Sequence, residues 1–184
     1  MSQNVSPMTK CCSSATEEMG NKKILLEYLY LDLDVCNRCI GTEQVLDEVV
    51  TTLTPAIQLG GFEVEYRKIK METPELAQQY QFESSPTIRI NGKDICLNVQ
   101  ENPCDCCSDI SGTNVDCRTF EYKGQSYEVP PKEMLAEVIL QAVFSSTKEK
   151  CCAEGEYALP ENLEVFYKGK TEKSGCGCGS GCCN

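Results

Sequence analysis

The sequence has no histidine and no tryptophan. The first absence removes the commonest general base, every Cys–His nucleophilic pair and every imidazole metal ligand. Metal or metalloid chemistry in this chain must therefore use sulfur, with carboxylates as the only charged helpers. Positive charge is scarce: 17 Lys and Arg stand against 28 Asp and Glu, a formal net charge of −11. That balance repels nucleic acid and anionic membranes and predicts neither as a partner. No stretch approaches the roughly 18 consecutive apolar residues of a membrane span, so no membrane insertion is expected. The N-terminal MSQNVSPMTKCCSS also lacks an apolar run of signal-peptide length. This predicts a cytoplasmic, reducing setting, where grouped cysteines serve redox or metal chemistry.

What the chain has in excess is cysteine. Fifteen occur in 184 residues, close to the ~8% that marks disulfide scaffolds in short secreted chains. The count is odd, so complete internal pairing is impossible. The length suits one domain plus tails. Residues 1–21 read as a flexible polar arm carrying Cys11 and Cys12. Residues 22–146 read as the folded domain, interrupted by a cysteine-rich insert at 98–118. Residues 147–184 read as a cysteine-rich tail, ending in the Gly/Ser-rich SGCGCGSGCCN, with LPENLEVFY at 159–167 as its one docking segment.

Within the domain, KKILLEYLYLDLD at 22–34 is apolar enough for a strand buried on both faces. The next helix begins at or just after Cys36-Asn37-Arg38-Cys39. It shows Ile40, Val45, Leu46, Val49, Val50 and Leu53 at three- and four-residue spacing and stops at Gly60-Gly61. Phe62–Met71 alternates as a second strand. Thr73 is placed to cap a short helix with Pro74 in its first turn. Ser85-Pro86-Thr87 leads into a third strand, and Asn91-Gly92 predicts a two-residue hairpin into Lys93–Leu97. Thr119–Val129 predicts another hairpin, turning at Lys123-Gly124, and KEMLAEVILQAVFSS at 132–146 is the terminal helix.

The placement of Cys36 and Cys39 sharpens an otherwise moderate CxxC signal. A thiolate at a helix N-terminus faces unpaired backbone N–H groups and the positive end of the dipole, which favours its charged form. Cys36 is expected to be the exposed attacking thiol and Cys39 the resolving one, with Arg38 adding positive charge. Asp32 or Asp34 is a candidate buried carboxylate that takes a proton from Cys39, although a solvated strand end is the plainer reading. The plainer readings of Cys36 and Cys39 themselves are half of a zinc site, or buried core cysteines.

In these residues, and in Ser85-Pro86-Thr87, the chain resembles the thioredoxin-like superfamily. More specifically, residues 24–144 resemble an uncharacterised prokaryotic thioredoxin-like family with a CxxC, a Ser-Pro-Thr strand, a cysteine-rich insert and a Tyr-Lys-Gly hairpin. The resemblance implies an α/β fold with a central mixed sheet flanked by helices. It also implies a cis Pro86 facing the CxxC, so that Cys36, Cys39 and Pro86 are its candidate catalytic residues. The chain lacks thioredoxin's Trp before the motif and Gly-Pro inside it, which points away from general disulfide reduction.

The insert holds Cys104, Cys106, Cys107 and Cys117, with Cys96 at its edge. This CxCC followed by a further Cys supplies three or four thiolates to one soft ion and can fold over the CxxC to share a ligand with it. Zinc takes four such ligands, arsenite three, and mercury or copper two or three. A structural zinc or a disulfide explains the insert equally well. The tails add Cys11, Cys12, Cys151, Cys152, Cys176, Cys178, Cys182 and Cys183, adjacent or one apart. Adjacent cysteines form strained disulfides poorly but chelate readily, and they resemble the vicinal pairs of arsenic-handling proteins. The expected function is thiol-based binding and transfer of soft metal or metalloid ions, as in metal(loid) resistance. The alternative is a thiol-disulfide oxidoreductase or oxyanion reductase that uses Cys36 and Cys39, needs no cofactor and acts on a protein thiol or disulfide partner.

Overall fold

The computed structural model describes residues 22–96, 98–144 and 157–175. Strand β1 (Lys22–Tyr30) is central in a four-stranded mixed sheet. It pairs in parallel with β2 (Phe62–Lys70) and antiparallel with β3 (Thr87–Ile90), and β4 (Lys93–Asp94) closes the order β2-β1-β3-β4. The mostly apolar β1 buries both faces. Ile24, Leu26 and Tyr28 enter one apolar cluster, and Leu29 and Leu31 enter the other, as a pleat of period two requires.

The first cluster is closed by α1 (Asn37–Leu59) and α4 (Lys132–Phe144). Leu46, Val49 and Ile57 of α1 meet Met134, Leu135, Ile139 and Val143 of α4 there. The second cluster lies with α2 (Pro74–Gln79), α3 (Asp105–Ser111) and α5 (Glu161–Gly175). The Thr73 side chain accepts the Leu76 N–H at 3.3 Å, as the sequence predicts for an N-cap. Both hairpin signals also form. Asn91 and Gly92 have φ of 53° and 79°, Lys123 and Gly124 of 51° and 76°, the left-handed pair that two-residue hairpin turns use. The strand expected over 93–97 is confined to Lys93–Asp94. The Ser85–Pro86 peptide is cis.

The insert is more structured than its composition suggests. Strand β5 (Gln100–Pro103), α3, β6 (Asp116–Tyr122) and β7 (Gln125–Tyr127) follow one another, and β5-β6-β7 form an antiparallel sheet of their own. Its apolar content is carried by cysteine. Cys104, Cys107 and Cys117 are buried beside Val115 and serve as the small apolar side chains of this core.

The docking segment expected at 159–167 belongs to a longer helix. Leu163, Phe166 and Tyr167 are the buried stripe of α5, at the spacing that places residues on one helix face. The Tyr167 hydroxyl donates to the Met71 carbonyl at 2.9 Å. Gly169 permits the approach of α5 to α3: a Cβ there would lie 2.5 Å from the Ser111 carbonyl oxygen and 2.8 Å from Thr113 Cγ2. Gly169→Ala is therefore expected to destabilise the protein by about 1–3 kcal/mol through overpacking, although Ala is the better helix former. A denaturation midpoint unchanged or raised by this substitution would contradict the close approach.

Candidate metal centre

Cys36, Cys104, Cys107 and Cys117 bring their sulfurs within 4.8 Å of one another, and all four are buried. Cys107 Sγ lies 3.7 Å from Cys36 Sγ and 3.3 Å from Cys117 Sγ. A tetrahedron of thiolates at the usual zinc–sulfur length of ~2.3 Å has edges of about 3.8 Å, so the spacing suits a single ion. These four cysteines can hold a metal ion.

Three different elements deliver them. Cys36 is the N-cap of α1 and Cys104 the N-cap of α3, yet neither side chain makes a capping hydrogen bond. N-cap side chains ordinarily accept an N–H of the first turn, which is why Ser, Thr, Asp and Asn are favoured there. Here both thiols are directed at the cluster instead, at the cost of the cap. Cys107 sits one turn into α3, and Cys117 projects from β6.

Arg38 holds the parts together. Its guanidinium is largely buried and donates to the carbonyls of Asn102, Pro103 and Cys117 at 3.3, 2.7 and 3.1 Å. It also pairs with Glu128 Oε1 at 2.7 Å. The residue inside the CxxC thus ties the first turn of α1 to the strands β5 and β6 that flank α3.

Cys36 is not exposed: Cys36 and Cys39 both have 0% of their surface accessible, packed in an apolar cluster with residues that include those of α3 and α5. Cys39 lies beside the cluster and not in it, its Sγ 3.4 Å from Ser85 Oγ. Asp32 Oδ1 accepts the Asp34 and Val35 N–H groups at 2.8 and 2.7 Å in a local turn, its Oδ2 lies 3.8 Å from Lys70 Nζ, and Asp34 is exposed. Pro86 is buried next to Ser85. Cys96 packs against the other apolar cluster, and Cys106 is half-buried outside the four-sulfur group. Cys11, Cys12, Cys151, Cys152, Cys176, Cys178, Cys182 and Cys183 lie outside the described residues.

The signal for the second half of the centre is present in the sequence and easily passed over. Cys104-Asp105-Cys106-Cys107 contains a CxxC with one extra cysteine inside it. Both CxxC motifs occupy the same place, with the first cysteine at the N-cap and the second one turn in. Read as CxCC, the insert hides the match.

Proximity sets the protonation of the metal-free cluster. The neighbouring thiols of Cys104, Cys107, Cys117 and Cys39 hold Cys36 far below the usual thiol range. Cys104 is lowered to about 7 by the thiols of Cys107 and Cys117. Cys39 is pushed up by its hydrogen bond to Cys36 and by burial, Cys107 by its bond to Cys104, and Cys117 by its bonds to Cys104, Cys107 and Cys36. A buried group of sulfurs cannot all ionise without a cation among them.

The sign of the linkage follows. Cys36 and Cys104, held low, add stability as pH rises toward the unfolded thiol value of about 8.5. Cys39, Cys107 and Cys117, held high, lose their contribution above that value, where only the unfolded chain releases their protons. Stability of the metal-free protein is expected to peak near pH 8 and fall above about pH 9. Metal-loaded protein is expected to lose stability on acidification instead, because its ligands must stay deprotonated. Denaturant midpoints from pH 6 to 10, with chelator and with metal, check both halves. A metal-free protein that gains stability from pH 9 to 10 would show the protonation pattern to be wrong.

A family model described as a domain of unknown function, DUF2703, matches residues 24–143. The matched segment runs from β1 to α4 and contains all four clustered cysteines. No curated protein and no solved structure matches the chain. No helix among the described residues is long and apolar enough to cross a membrane.

Proposed function

The chain belongs to the DUF2703 family, whose description assigns no activity, and from its cysteine geometry we propose that it binds one thiophilic metal or metalloid ion through Cys36, Cys104, Cys107 and Cys117. The observation that carries this reading is the convergence of four buried sulfurs within 4.8 Å, two of them from N-caps whose capping bond is forgone. Four thiolates without nitrogen or oxygen partners suit soft or borderline ions of tetrahedral preference, zinc and its heavier congeners. Arsenite, which takes three thiolates, would use Cys104, Cys107 and Cys117, all supplied by the insert and β6. The thioredoxin-like reading of the domain is supported by the β-α-β-α-β-β order around a mixed sheet, with the CxxC following its central strand. The cysteines of residues 1–21 and 145–184 would collect ions and pass them to this centre by thiolate exchange.

Protein purified under reducing conditions and examined by elemental analysis and native mass spectrometry tests the reading. With zinc, arsenite or mercury(II), one ion per chain should resist mild chelation, and any ions held by the tails should be removed first. Fully reduced protein that takes up none of the three would refute it.

The second reading, a thiol-disulfide oxidoreductase, draws on the low pKa of Cys36 at the start of α1 and the presence of Cys39 one turn on. Burial weighs against it, since a protein disulfide has no surface sulfur to meet at either cysteine. Turnover of a protein or small-molecule disulfide by the purified chain would restore it.

A further inference from the structure

Among the described residues the metal-binding reading leaves one buried thiol unused, and that thiol lies on the same helical turn as a ligand. Cys36 takes part in two sulfur arrangements at once. It belongs to the group with Cys104, Cys107 and Cys117, and it is the N-cap of the same helical turn that carries Cys39. Cys39 stands outside the group. Its backbone is fixed by the Tyr28 hydroxyl, which donates to the Cys39 carbonyl at 2.7 Å, and its Sγ rests against Ser85 Oγ at 3.4 Å. Residues three apart in a first helical turn face each other on one side of the helix, a separation that a disulfide can span.

We propose that Cys39 is a redox trigger for the metal centre: by forming a disulfide with Cys36 it removes one ligand and releases the ion. The inference rests on the metal-binding reading. It follows from a count of thiols. With the ion bound, Cys36, Cys104, Cys107 and Cys117 are all committed to it, and Cys39 is the remaining buried thiol on the same turn as a ligand. Oxidation that withdraws a single ligand needs a partner outside the ligand set, and Cys39 is that partner. Three thiolates then remain, too few for a closed tetrahedral site.

The oxidant that suits so buried a pair is a small peroxide. The Cys36 thiolate attacks one peroxide oxygen, the O–O bond breaks, and hydroxide departs, leaving a sulfenic acid on Cys36. The Cys39 thiol then attacks the Cys36 sulfur. The S–S bond forms as the S–O bond breaks, and the sulfenic oxygen leaves with the Cys39 proton as water. Two electrons have passed from the two sulfurs to hydrogen peroxide, which is reduced to water and hydroxide. A dithiol reductant reverses the change by thiol–disulfide exchange, becoming a disulfide itself and restoring both protein thiols.

The rival pairs lie inside the ligand set: Cys107 and Cys117, whose sulfurs are 3.3 Å apart, and Cys36 and Cys107, at 3.7 Å. A disulfide in either would remove two ligands together and would not involve Cys39, so the routes are separable. Reduced full-length protein is loaded with zinc and exposed to hydrogen peroxide while a chromophoric chelator reports release; disulfides are mapped by mass spectrometry at matched times. Wild-type protein should release zinc in step with a Cys36–Cys39 disulfide. Cys39→Ser and Cys39→Ala should both take up zinc with unchanged stoichiometry. They should release it at least ~10-fold more slowly, since they lack the thiol outside the ligand set that condenses with the sulfenic acid. Release from both variants at the wild-type rate, or a wild-type disulfide that joins Cys107 to Cys117 or to Cys36, overturns the trigger and leaves the metal site standing. Reduced wild-type protein that takes up no zinc, arsenite or mercury(II) overturns both.

Discussion

Replacing any one of Cys36, Cys104, Cys107 or Cys117 by Ser is expected to abolish tight binding of zinc, whereas Cys96→Ser and Cys106→Ser should leave it nearly unchanged. The sulfurs of the first set all lie within 4.8 Å of one another, while Cys96 and Cys106 lie outside that group. Each of the four would be a direct ligand, so its loss should exceed the ~10–100-fold typical of outer-shell changes at metal sites. Serine oxygen is a poor replacement, because a neutral hydroxyl neither ionises near pH 7 nor matches the softness of thiolate. Competition titration against a chelator of known affinity measures the difference. The contrast within one short helix is the sharpest part: Cys107→Ser should remove binding and its neighbour Cys106→Ser should not. Equal losses at the two positions would mean that the insert binds as a loose cysteine cluster without the described geometry.

Arg38→Ala is expected to destabilise the metal-free protein by about 2–4 kcal/mol, the range for losing several hydrogen bonds from one buried charged group. The guanidinium satisfies three backbone carbonyls on β5 and β6, and their exposure to an apolar surrounding without a donor is the main cost. The ion pair with Glu128 adds little, since that carboxylate is 59% exposed; Glu128→Gln should cost below about 1 kcal/mol. Arg38→Lys should recover only part of the loss, because one ammonium cannot reach divergent acceptors that a planar fork spans. The same substitution separates Cys36 from Cys117, so metal affinity should fall with stability in Arg38→Ala. Chemical denaturation of the chelated protein, followed by metal titration, measures both. If Arg38→Ala unfolds at the wild-type midpoint, the clamp plays no part in holding the insert to α1.

Much of this architecture is legible in the sequence because local rules set it. The apolar run of β1, the Thr73 cap, the Asn91-Gly92 and Lys123-Gly124 turns, and the helical stripes of α1 and α4 are each determined by residues within one element. The site is partly legible. A cysteine-rich insert following the Pro86 strand can share a ligand with Cys36, and the structure brings Cys36 to three of its cysteines. What the local pattern does not reveal is burial. A CxxC at a helix start reads as an exposed nucleophile, whereas Cys36 is buried in an apolar cluster that also takes in residues of α3 and α5. Helix α5 itself is obscured by its Lys, Glu and Gly content, because only Leu163, Phe166 and Tyr167 mark its buried face. Arg38 reads as a nearby positive charge, whereas its role depends on carbonyls 64 to 79 residues away along the chain.

X-ray absorption at the metal edge of protein loaded with one equivalent of zinc tests the central claim most directly. Four sulfur scatterers at ~2.3 Å, with no nitrogen or oxygen in the first shell, are the result expected of a thiolate tetrahedron. A first shell containing oxygen or nitrogen, or fewer than four sulfurs in the reduced protein, would contradict the assignment of Cys36, Cys104, Cys107 and Cys117 as one metal centre.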